Sequence, residues 1–439
     1  MALPPGPPWP QALQTLAWIT RPVPFMERAT RRYGDAFTVR LAQVGTFVFT
    51  TDPDSLKSVF TAGPDRLRAG EANVALEPVL GNRSVLLLDG REHIRQRRLM
   101  LPPFHGKRLR GYEGLIAEIA EEEMARWPLG EPLALQPRMQ AVTLEVILRV
   151  VFGLDRGPEL NHLREQIKLL LDVTTKPWSL VPWLRRDLGP LSPWVKFLAV
   201  RDAVDEALYA EIARRRHDPA LADRTDIFSM LLQARDEEGE PLSDKEMRDE
   251  LITLLVAGHE TTATGLAWAF ERIVRHPGAL EQLAGEDSGA YADAVVHETL
   301  RLRPPIPIVA RRVVGEPFRL GEREIPVGAM IAPCIYLVHR RPDLYREPYA
   351  FRPERFLERA PETYSWLPFG GGMRRCIGAS FAVLEMSTIL RTVARGMRLE
   401  PAGPGPELIG RRAIFFAPSR GGLVSARLGQ LAEDVEPVL

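Results

Sequence analysis

Apolar periodicity from Ser243 to Arg275 is the feature that most limits how this chain can fold. Ser243 and Glu246 have the S-x-x-E spacing of a capping box, which predicts a helix start at Ser243. His276-Pro277 predicts its end. A helix of about 33 residues is roughly 50 Å long. Because no coiled-coil heptad accompanies it, a helix of this length has to cross a whole globular molecule, and the remaining chain has to pack around it.

The rest of the chain has mostly helical patterns. These predict helices at residues 53–62, 90–126, 139–153, 160–172, 196–217, 289–302 and 379–395. Strand patterns predict a hairpin at 36–51, short strands at 308–314, 318–320, 323–327 and 330–336, and mixed strand and turn at 397–427. No repeat and no Gly/Ser linker divides the sequence. We therefore expect a mainly α fold with small β-sheets, in one domain over residues 1–439 whose N-terminal part, at about 30–65, is rich in strand.

Composition excludes several classes of function. The chain has 57 basic and 57 acidic residues, whereas nucleic-acid binding usually needs a basic excess. Its two cysteines, Cys334 and Cys376, suit a reducing compartment and predict no disulfide framework. No apolar run reaches the roughly 18–20 residues of a membrane span, and the proline-rich N-terminus resembles neither a signal peptide nor an anchor. We expect a cytoplasmic protein with no nucleic-acid partner and no stable membrane anchor.

A glycine-rich loop before the 379–395 helix carries the first chemical motif. It reads Phe369-Gly-Gly-Gly-Met-Arg-Arg-Cys376-Ile-Gly378. Consecutive glycines allow positive φ and a close approach to a flat partner. A cysteine at a helix N-terminus is expected to have a lowered pKa. The alternative is a glycine loop with a buried structural cysteine. Cys334, in a strand-like apolar run, is interpreted as a small core residue.

This loop resembles the cysteine-ligand motif of the cytochrome P-450 family, F-x-x-G-x-R-x-C-x-G. Phe369, Gly372, Arg374, Cys376 and Gly378 match every defined position. The resemblance implies the cytochrome P-450 fold, with haem b (heme b, iron protoporphyrin IX) as cofactor and Cys376 as the thiolate ligand of its iron. It also implies that Phe369, Arg374 and Gly378 contact the cofactor, Arg374 at a propionate.

A second motif is Glu298-Thr-Leu-Arg301, whose spacing places a carboxylate and a guanidinium on one helical face. Alone it is equally typical of a surface ion pair. Pro353-Glu-Arg355-Phe356 follows it, as in the family, and the resemblance implies a buried network of Glu298, Arg301 and Arg355 beneath the haem. Such a network is costly unless it is fully paired.

The long helix contains a third motif, Ala257-Gly258-His259-Glu260-Thr261-Thr262. It is similar to the oxygen-activation motif of the family. Glu260 and Thr261 place an acid and an alcohol side by side, able to pass protons from water to bound oxygen. The alternative is a helix kink with a solvated glutamate and back-bonded threonines. His259 lacks partners for a metal site.

Cationic side chains at two places suit the haem propionates. His93 and Arg97 are four residues apart and share one face of a predicted helix. The resemblance adds Arg311, although its neighbour Arg312 leaves the register open. Ordinary surface charge is the alternative for each of these residues.

Segments that vary within the family predict the substrate pocket. They place ten residues at it, largely apolar: Val74, Leu76, Val79, Leu80, Leu254, Ala257, Ile306, Ile308, Val309 and Phe415. Such a lining prefers a lipophilic ligand, and the overall character resembles family members that hydroxylate fatty acids or terpenoids. Filling the core is an equal alternative for any single one of these side chains.

The resemblance implies a monooxygenase that uses O2 to hydroxylate or epoxidise its substrate. Only about 60 residues follow Cys376, so electrons are expected from a separate ferredoxin or flavodoxin with its reductase. Five basic residues predict a docking face for it: Arg98, Lys107, Arg108, Arg110 and Arg375. A haem-thiolate peroxygenase or isomerase does not need Glu260 and Thr261, and a non-catalytic haem sensor forms no oxygen-dependent product; both remain alternatives.

Overall fold

The computed structural model of the chain describes residues 3–104, 106–153, 158–174, 185–187, 189 and 192–429. Of residues 107–108, 158–163 and 174 it describes the backbone and not the side chains. Its helices are α1 (Gln11–Thr20), α2 (Pro22–Tyr33), α3 (Pro53–Thr61), α4 (Glu77–Leu80), α5 (Gly90–Met100), α6 (Glu113–Met124), α7 (Leu135–Val146), α8 (Pro158–Thr174), α9 (Pro193–Arg216), α10 (Ile227–Gln233), α11 (Asp244–Ile273), α12 (Ala279–Gly285), α13 (Ala290–Leu302), α14 (Ile335–Val338), α15 (Arg355–Glu358) and α16 (Ala379–Gly396). Its strands are β1 (Ala36–Leu41), β2 (Gly45–Thr50), β3 (Leu67–Arg68), β4 (Pro132–Ala134), β5 (Arg311–Val313), β6 (Phe318–Leu320), β7 (Arg323–Ile325), β8 (Met330–Pro333), β9 (Met397–Pro401), β10 (Ile409–Arg412), β11 (Phe415–Pro418) and β12 (Leu423–Leu428). The mainly α fold with small sheets is confirmed.

The strands form small sheets around the helices. The largest has the order β1-β2-β8-β5-β3, and the others are β4-β12-β9, β10-β11 and β6-β7. The hairpin predicted at 36–51 is confirmed, since β1 pairs antiparallel with β2 from Ala36↔Thr50 to Leu41↔Gly45. β8 then joins β2 in parallel and carries β5 on its other edge. The chain following α13 is thereby attached to the N-terminal hairpin.

The predicted central helix is α11. The Ser243 Oγ accepts a hydrogen bond from the Glu246 N–H at 3.3 Å, and the Ser243 N–H donates to Glu246 Oε2 at 2.8 Å, which completes the capping box. The helix is 30 residues long and ends at Ile273, two residues before the predicted end. It packs against α7, α9, α13, α16 and β11, and its second half is almost wholly buried. It is therefore the axis of the core.

The single helix predicted at 90–126 is wrong. The helix α5 ends at Met100, short 3-10 segments cover Pro102–Phe104 and Gly106–Tyr112, and α6 begins at Glu113. Pro102 and Pro103 explain the break, because proline lacks the N–H of a helix and clashes with the preceding turn.

The strand predicted at 330–336 ends early, at Pro333, and α14 follows it. Cys334, between them, is fully buried with its Sγ 3.6 Å from Met26 Sδ, in agreement with its interpretation as a core residue. Among the described residues, none of the helices combines the length and the apolar character that crossing a bilayer requires.

Candidate functional site

The loop before α16 is held in shape by glycine. Gly370 and Gly372 have φ values of 67° and 62°, in the left-handed region that other residues rarely adopt. A Cβ on Gly372 would also lie 1.9 Å from the carbonyl oxygen of Phe60 in α3. The Cys376 N–H donates to the Phe369 carbonyl at 2.9 Å and closes the loop. The loop therefore packs closely on Phe60, with Gly372 against its backbone and Gly371 against its ring.

The Cys376 thiol lies two residues before the N-terminal cap of α16 and is accessible. Burial nevertheless raises the pKa of this thiol. The Gly378 N–H, Arg97 and Arg375 act in the opposite direction and favour the thiolate. The expected lowered pKa is therefore wrong for the protein chain by itself, because desolvation outweighs the helix terminus and both arginines.

Glu298, Arg301 and Arg355 form a buried ion network. Glu298 and Arg301 on α13 are fully buried and joined by two hydrogen bonds, Arg301 Nε to Glu298 Oε2 at 2.6 Å and Nη2 to Oε1 at 2.8 Å. Arg355 Nε lies 3.1 Å from Glu298 Oε2. The Arg352 N–H donates to Glu298 Oε1 at 2.9 Å. The guanidinium nitrogens of Arg301 also donate to backbone carbonyls, so this buried side chain is satisfied by its carboxylate partner and by the main chain.

His339 joins this network to the cysteine loop, a link that the motifs did not predict. Arg301 Nη1 donates to the His339 carbonyl at 2.7 Å, and His339 Nδ1 lies 2.9 Å from the Arg301 carbonyl. The Leu367 N–H donates to His339 Nε2 at 2.8 Å. Burial, with Arg301 and Arg340 nearby, lowers the pKa of His339 far below its usual value. A neutral imidazole thus ties the network to the chain two residues before Phe369.

Four basic side chains, three arginines and one histidine, come from three parts of the chain and meet near Cys376. His93 and Arg97 come from α5, Arg311 from β5 and Arg374 from the cysteine loop. Burial, then Arg374, Arg97 and Arg311, lowers the pKa of His93 to about 3. Burial and Arg374 lower the pKa of Arg311 to about 10, although Asp89 opposes this shift. Burial is the largest cause of both shifts, and repulsion from the neighbouring arginines adds to it.

The cluster surrounds a cavity of about 30 Å³ that His93, Arg311 and Arg374 line together with Asp89. Arg374 donates to the carbonyls of Val85, at 3.0 Å, and Leu88, and pairs with Asp89. The β5 register settles the orientation that the sequence left open. Arg311 is buried and lines the cavity, whereas Arg312 is half-exposed and lies 3.7 Å from Glu71.

Glu260 and Thr261 lie on different sides of α11. The Glu260 carboxylate is buried and accepts from Gln140 at 2.6 Å and from Gln136 at 3.3 Å, both on α7. Arg412 of β10 lies 2.9 Å from it. Burial raises the pKa of Glu260, while Arg412 and the two glutamines limit that rise. The sequence did not predict these three partners, which are far from the motif along the chain.

Thr261 belongs to an accessible stripe on the otherwise buried middle of α11. Its Oγ1 donates to the Ala257 carbonyl at 2.5 Å. Leu254, Ala257, Gly258 and Thr261, at spacings of three and four residues, are accessible and share one face of the helix. His259 points elsewhere, with its Nδ1 2.9 Å from Thr143 Oγ1, and burial followed by Arg412 lowers its pKa to about 4. It is a neutral side chain between α7 and α11.

Comparisons with known proteins agree with this arrangement. A sequence model described as cytochrome P450 matches residues 4–424. This chain belongs to the cytochrome P450 family.

Two similar proteins come from Mycobacterium tuberculosis and carry the names cytochrome P450 135B1 and cytochrome P450 138. Each is 41% identical to this cytochrome P450 over 97% of its length. The matches cover 92% of the first relative and 96% of the second. A solved structure of CYP175A1 from Thermus thermophilus is 28% identical, with a TM-score of 0.75 over 95% of this chain and 97% of its own. Retinoic acid-bound cyanobacterial CYP120A1 shares the fold, with a TM-score of 0.83 at 23% identity over 98% and 100% of the two chains.

Cytochromes P450 are haem-iron oxidoreductases, and haem b is the cofactor of this one. The chain's own residues fit that cofactor. His93, Arg311 and Arg374 around one cavity, with Arg97 nearby, suit two propionate groups, and an accessible cysteine beside Arg97 suits an iron ligand.

The residues predicted for the substrate pocket of this cytochrome P450 fall into two groups. Leu80 and Phe415 are buried, and Leu80 packs within the main hydrophobic core. The others are accessible to different degrees: Val74, Leu76, Val79, Leu254, Ala257, Ile306, Ile308 and Val309. Val74 is the most exposed of those with a large side chain, on the 3-10 segment Glu71–Leu76 that precedes α4.

Proposed function

We propose that this cytochrome P450 hydroxylates or epoxidises a lipophilic small molecule, with Cys376 as the iron ligand. The observation that carries the proposal is the meeting of Cys376 with the cation cluster. Arg97 acts electrostatically on both Cys376 and His93, so the thiol and the cluster lie at one place. A protein of this family holds haem b by a thiolate ligand to the iron and by basic side chains at the two propionate carboxylates of the haem.

Different residues are proposed to bind the iron and the propionates of the haem. Cys376, in the loop between Phe369 and Gly378, takes the iron, and the Gly378 N–H and Arg97 stabilise its thiolate form. His93, Arg97, Arg311 and Arg374 would hold the propionates. When bound, the haem supplies the activation of O2 and its two-electron reduction.

Glu260 and Thr261 are proposed to deliver protons. Hydroxylation places one oxygen atom of O2 in the substrate and reduces the other to water, which consumes two electrons and two protons. The Thr261 hydroxyl lies on the accessible stripe of α11 and orients a proton donor there. Glu260, on the far side, exchanges protons with solvent beside Arg412, whose side chain is half-exposed.

The substrate class is proposed from the apolar character of the predicted pocket. Leu254 and Ala257 contribute to it from the α11 stripe, and Ile306, Ile308 and Val309 from the segment before β5. Apolar surfaces with few polar groups favour a ligand such as a fatty acid or a terpenoid.

Electrons are proposed to come from a separate ferredoxin or flavodoxin with its reductase. Arg98, Arg110 and Arg375 are exposed, and Arg98 forms an ion pair with Glu237. The side chains of Lys107 and Arg108 lie outside the described residues.

Charge reversal at Arg98 and Arg110 is expected to slow the first electron transfer and to weaken its dependence on salt, measured by stopped-flow reduction. Reversal at exposed Arg319 on β6 is the control, and equal rates in both variants contradict this docking face.

Titration of the purified ferric protein with fatty acids, sesquiterpenes and steroids tests the function. A saturable low-spin to high-spin change of the haem Soret band with one class identifies the ligand class, and NADH-driven, oxygen-dependent product formation with that class establishes the monooxygenase. Product from peroxide alone would favour a peroxygenase. Haem binding without any oxygen-dependent product would favour a sensor, and a Cys376→Ser variant with an unchanged Soret spectrum would exclude Cys376 as the ligand.

A further inference from the structure

Two neighbouring acids on α11 hold the chain that joins α4 to α5. We call residues 81–89 the joining segment. Its Arg83 N–H donates to Asp249 Oδ2 at 2.8 Å, and its Val85 N–H donates to Glu250 Oε1 at 2.7 Å. Buried N–H groups outside helices and sheets need partners of this kind, because secondary structure supplies none. The two acids therefore fix the course of the joining segment over α11.

The joining segment also contacts the cation cluster. The carbonyls of Val85, at 3.0 Å, and Leu88 accept from Arg374, and Asp89 at the end of the segment pairs with the same guanidinium. Val85 thus makes both kinds of contact, with its N–H on Glu250 and its carbonyl on Arg374. A displacement of the segment away from α11 would therefore also displace the carbonyls that position Arg374.

The two acids differ in how their charge is compensated. Asp249 lies 2.9 Å from Arg248 and forms an ion pair with it. Glu250 is fully buried, and its Oε2 has no hydrogen-bond partner. Among the residues that the structure describes, no basic side chain forms an ion pair with Glu250. An unpaired buried carboxylate is far more costly than an unpaired neutral hydroxyl, so this geometry favours the protonated acid.

The charged groups around Glu250 do not favour its ionisation. Burial raises the pKa of Glu250 well above its usual value, and Asp249 and Glu246 add to this shift, whereas the Val85 N–H opposes it. The nearby arginines on the joining segment, α5 and α11 pair with other acids: Arg83 with Glu92, Arg95 with Asp236 and Glu246, and Arg248 with Asp205 and Asp249.

We propose that Glu250 is a positioning residue that holds the joining segment as an uncharged carboxylic acid and, through Val85, keeps Arg374 in place. In this form its carbonyl oxygen accepts from the Val85 N–H without the cost of a buried charge. When the segment moves away, water reaches the carboxyl and the group ionises at its ordinary pKa. The role of Arg374 at a haem propionate belongs to the proposed function, on which this last link rests, whereas the contact of Glu250 with Val85 does not depend on it.

The proposal requires that rising pH releases the joining segment. A carboxyl whose pKa is raised in the held form binds more protons there than in the released form. The holding contact is therefore strongest below the ordinary pKa of the acid and weakens as pH rises towards the raised one. Glu250→Gln keeps an acceptor oxygen and cannot ionise, so it should hold the segment equally well throughout this range.

Hydrogen exchange of the haem-loaded protein, read by mass spectrometry on peptides that cover residues 81–89, tests the proposal. The ratio of the wild-type exchange rate to that of Glu250→Gln at the same pH removes the intrinsic pH dependence of exchange. Between about pH 5 and about pH 9 this ratio should rise by up to about tenfold per unit and level off above the raised pKa. Glu92→Gln is the matched control, because it removes an exposed carboxylate that pairs with Arg83 of the same segment, and it should behave as the wild type.

Glu250→Leu removes the acceptor and should speed exchange of the joining segment at every pH. It should also speed haem transfer to an excess of a haem-binding acceptor roughly 10-fold, which Glu250→Gln should not do. If the leucine variant does not fold, the comparison of wild type with Glu250→Gln still decides the proposal.

A ratio that stays constant or falls as pH rises would overturn the uncharged form of Glu250. Loss of the pH dependence in Glu92→Gln would assign it to the Arg83–Glu92 pair instead. Faster exchange in Glu250→Leu with unchanged haem transfer would contradict the link to Arg374. Hydrogen exchange reads neither turnover nor substrate binding, so failure of the proposed oxidation would leave a positive exchange result intact, and the reverse also holds.

Discussion

At the scale of single residues, Glu260 and Thr261, the two residues proposed to deliver protons, lie on two sides of one helix. Successive residues of an α-helix point about 100° apart, so neighbours in the sequence need not share an environment. Glu260 lies between Gln136, Gln140 and Arg412, while Thr261 lies on the accessible stripe. The acid is buried beside half-exposed Arg412 and the alcohol is accessible on the stripe, so each can be tested separately.

Thr261→Ala removes the hydroxyl from the stripe while leaving the apolar lining in place. Substrate binding is expected to persist, but product formed per electron consumed should fall roughly 10-fold or more, the reducing equivalents appearing as hydrogen peroxide. The measurement is the ratio of product to NADH consumed, with peroxide assayed in parallel. Thr261→Ser retains a hydroxyl and should restore much of the yield. Tight coupling in the alanine variant would contradict the proton role.

Arg412→Gln changes the pH dependence through Glu260. Burial raises the pKa of this carboxyl and Arg412 is the strongest opposing influence, so removing the guanidinium should raise the pKa further. The carboxylate form is populated above the pKa; the acid-side fall in coupled turnover should therefore begin at higher pH than in the wild type. Profiles of product yield against pH provide the measurement, with Arg398→Gln, a change at an exposed side chain of β9, as control.

An unchanged profile in Arg412→Gln would separate Arg412 from the reaction. Glu260→Gln, which cannot titrate, should lack this fall in coupled turnover altogether.

The motif predicted the acid and the alcohol, but not the partners of Glu260. Gln136 and Arg412 approach Glu260 through packing of α7 and β10 on α11, and nothing in the local sequence specifies that contact.

At the scale of elements, the ion network of α13 supports the loop that presents Cys376. Arg301 contacts backbone carbonyls at His339, Pro348 and Ala350, so one side chain fixes the course of the chain after α14. His339 then fixes Leu367. The E-x-x-R spacing predicted the pair on one helical face, whereas the carbonyls that complete it belong to irregular backbone without a sequence signature.

Arg355→Lys tests this support. Lysine cannot reproduce the planar guanidinium contact with Glu298, and a buried carboxylate would lose part of its compensation. The free energy of unfolding should fall by about 2–4 kcal/mol, with reduced haem retention. Urea unfolding and haem content per chain give both readouts. Arg352→Lys is the matched control: its side chain pairs with Glu358 near the surface, and its contribution to Glu298 comes from the backbone, so little change is expected.

Comparable losses in the Arg352 and Arg355 variants would show that the guanidinium contact with Glu298 does not support the loop.

Element boundaries depend in the same way on local and on long-range interactions. The capping box located the start of α11, because its interactions are local. The apolar spacing continues through Pro102 and Pro103 and therefore predicted one continuous helix. The backbone cannot stay helical at two consecutive prolines, so 3-10 segments separate α5 from α6.

At the scale of the whole molecule, the cation cluster is assembled from parts far apart in the sequence. α5 supplies His93 and Arg97, β5 supplies Arg311, and the cysteine loop supplies Arg374. Family resemblance predicted these residues, but only the burial pattern of β5 shows that Arg311, and not Arg312, lines the cavity. Bringing like charges together costs free energy when the chain is without its cofactor. The negative charges of the haem propionates can offset this repulsion.

Arg311→Gln should therefore act with opposite signs on the two forms of the protein. Loss of a charge-assisted contact to a propionate should speed haem transfer to an excess of a haem-binding acceptor roughly 10- to 100-fold. In the apoprotein the lowered pKa of Arg311 shows that its charge is disfavoured in the folded state, so the unfolding midpoint should stay constant or rise. Arg312→Gln changes the half-exposed neighbour and should alter neither quantity appreciably. Faster haem loss from the Arg312 variant than from the Arg311 variant would reverse the assignment, and a destabilised Arg311→Gln apoprotein would show that the cluster is compensated within the chain.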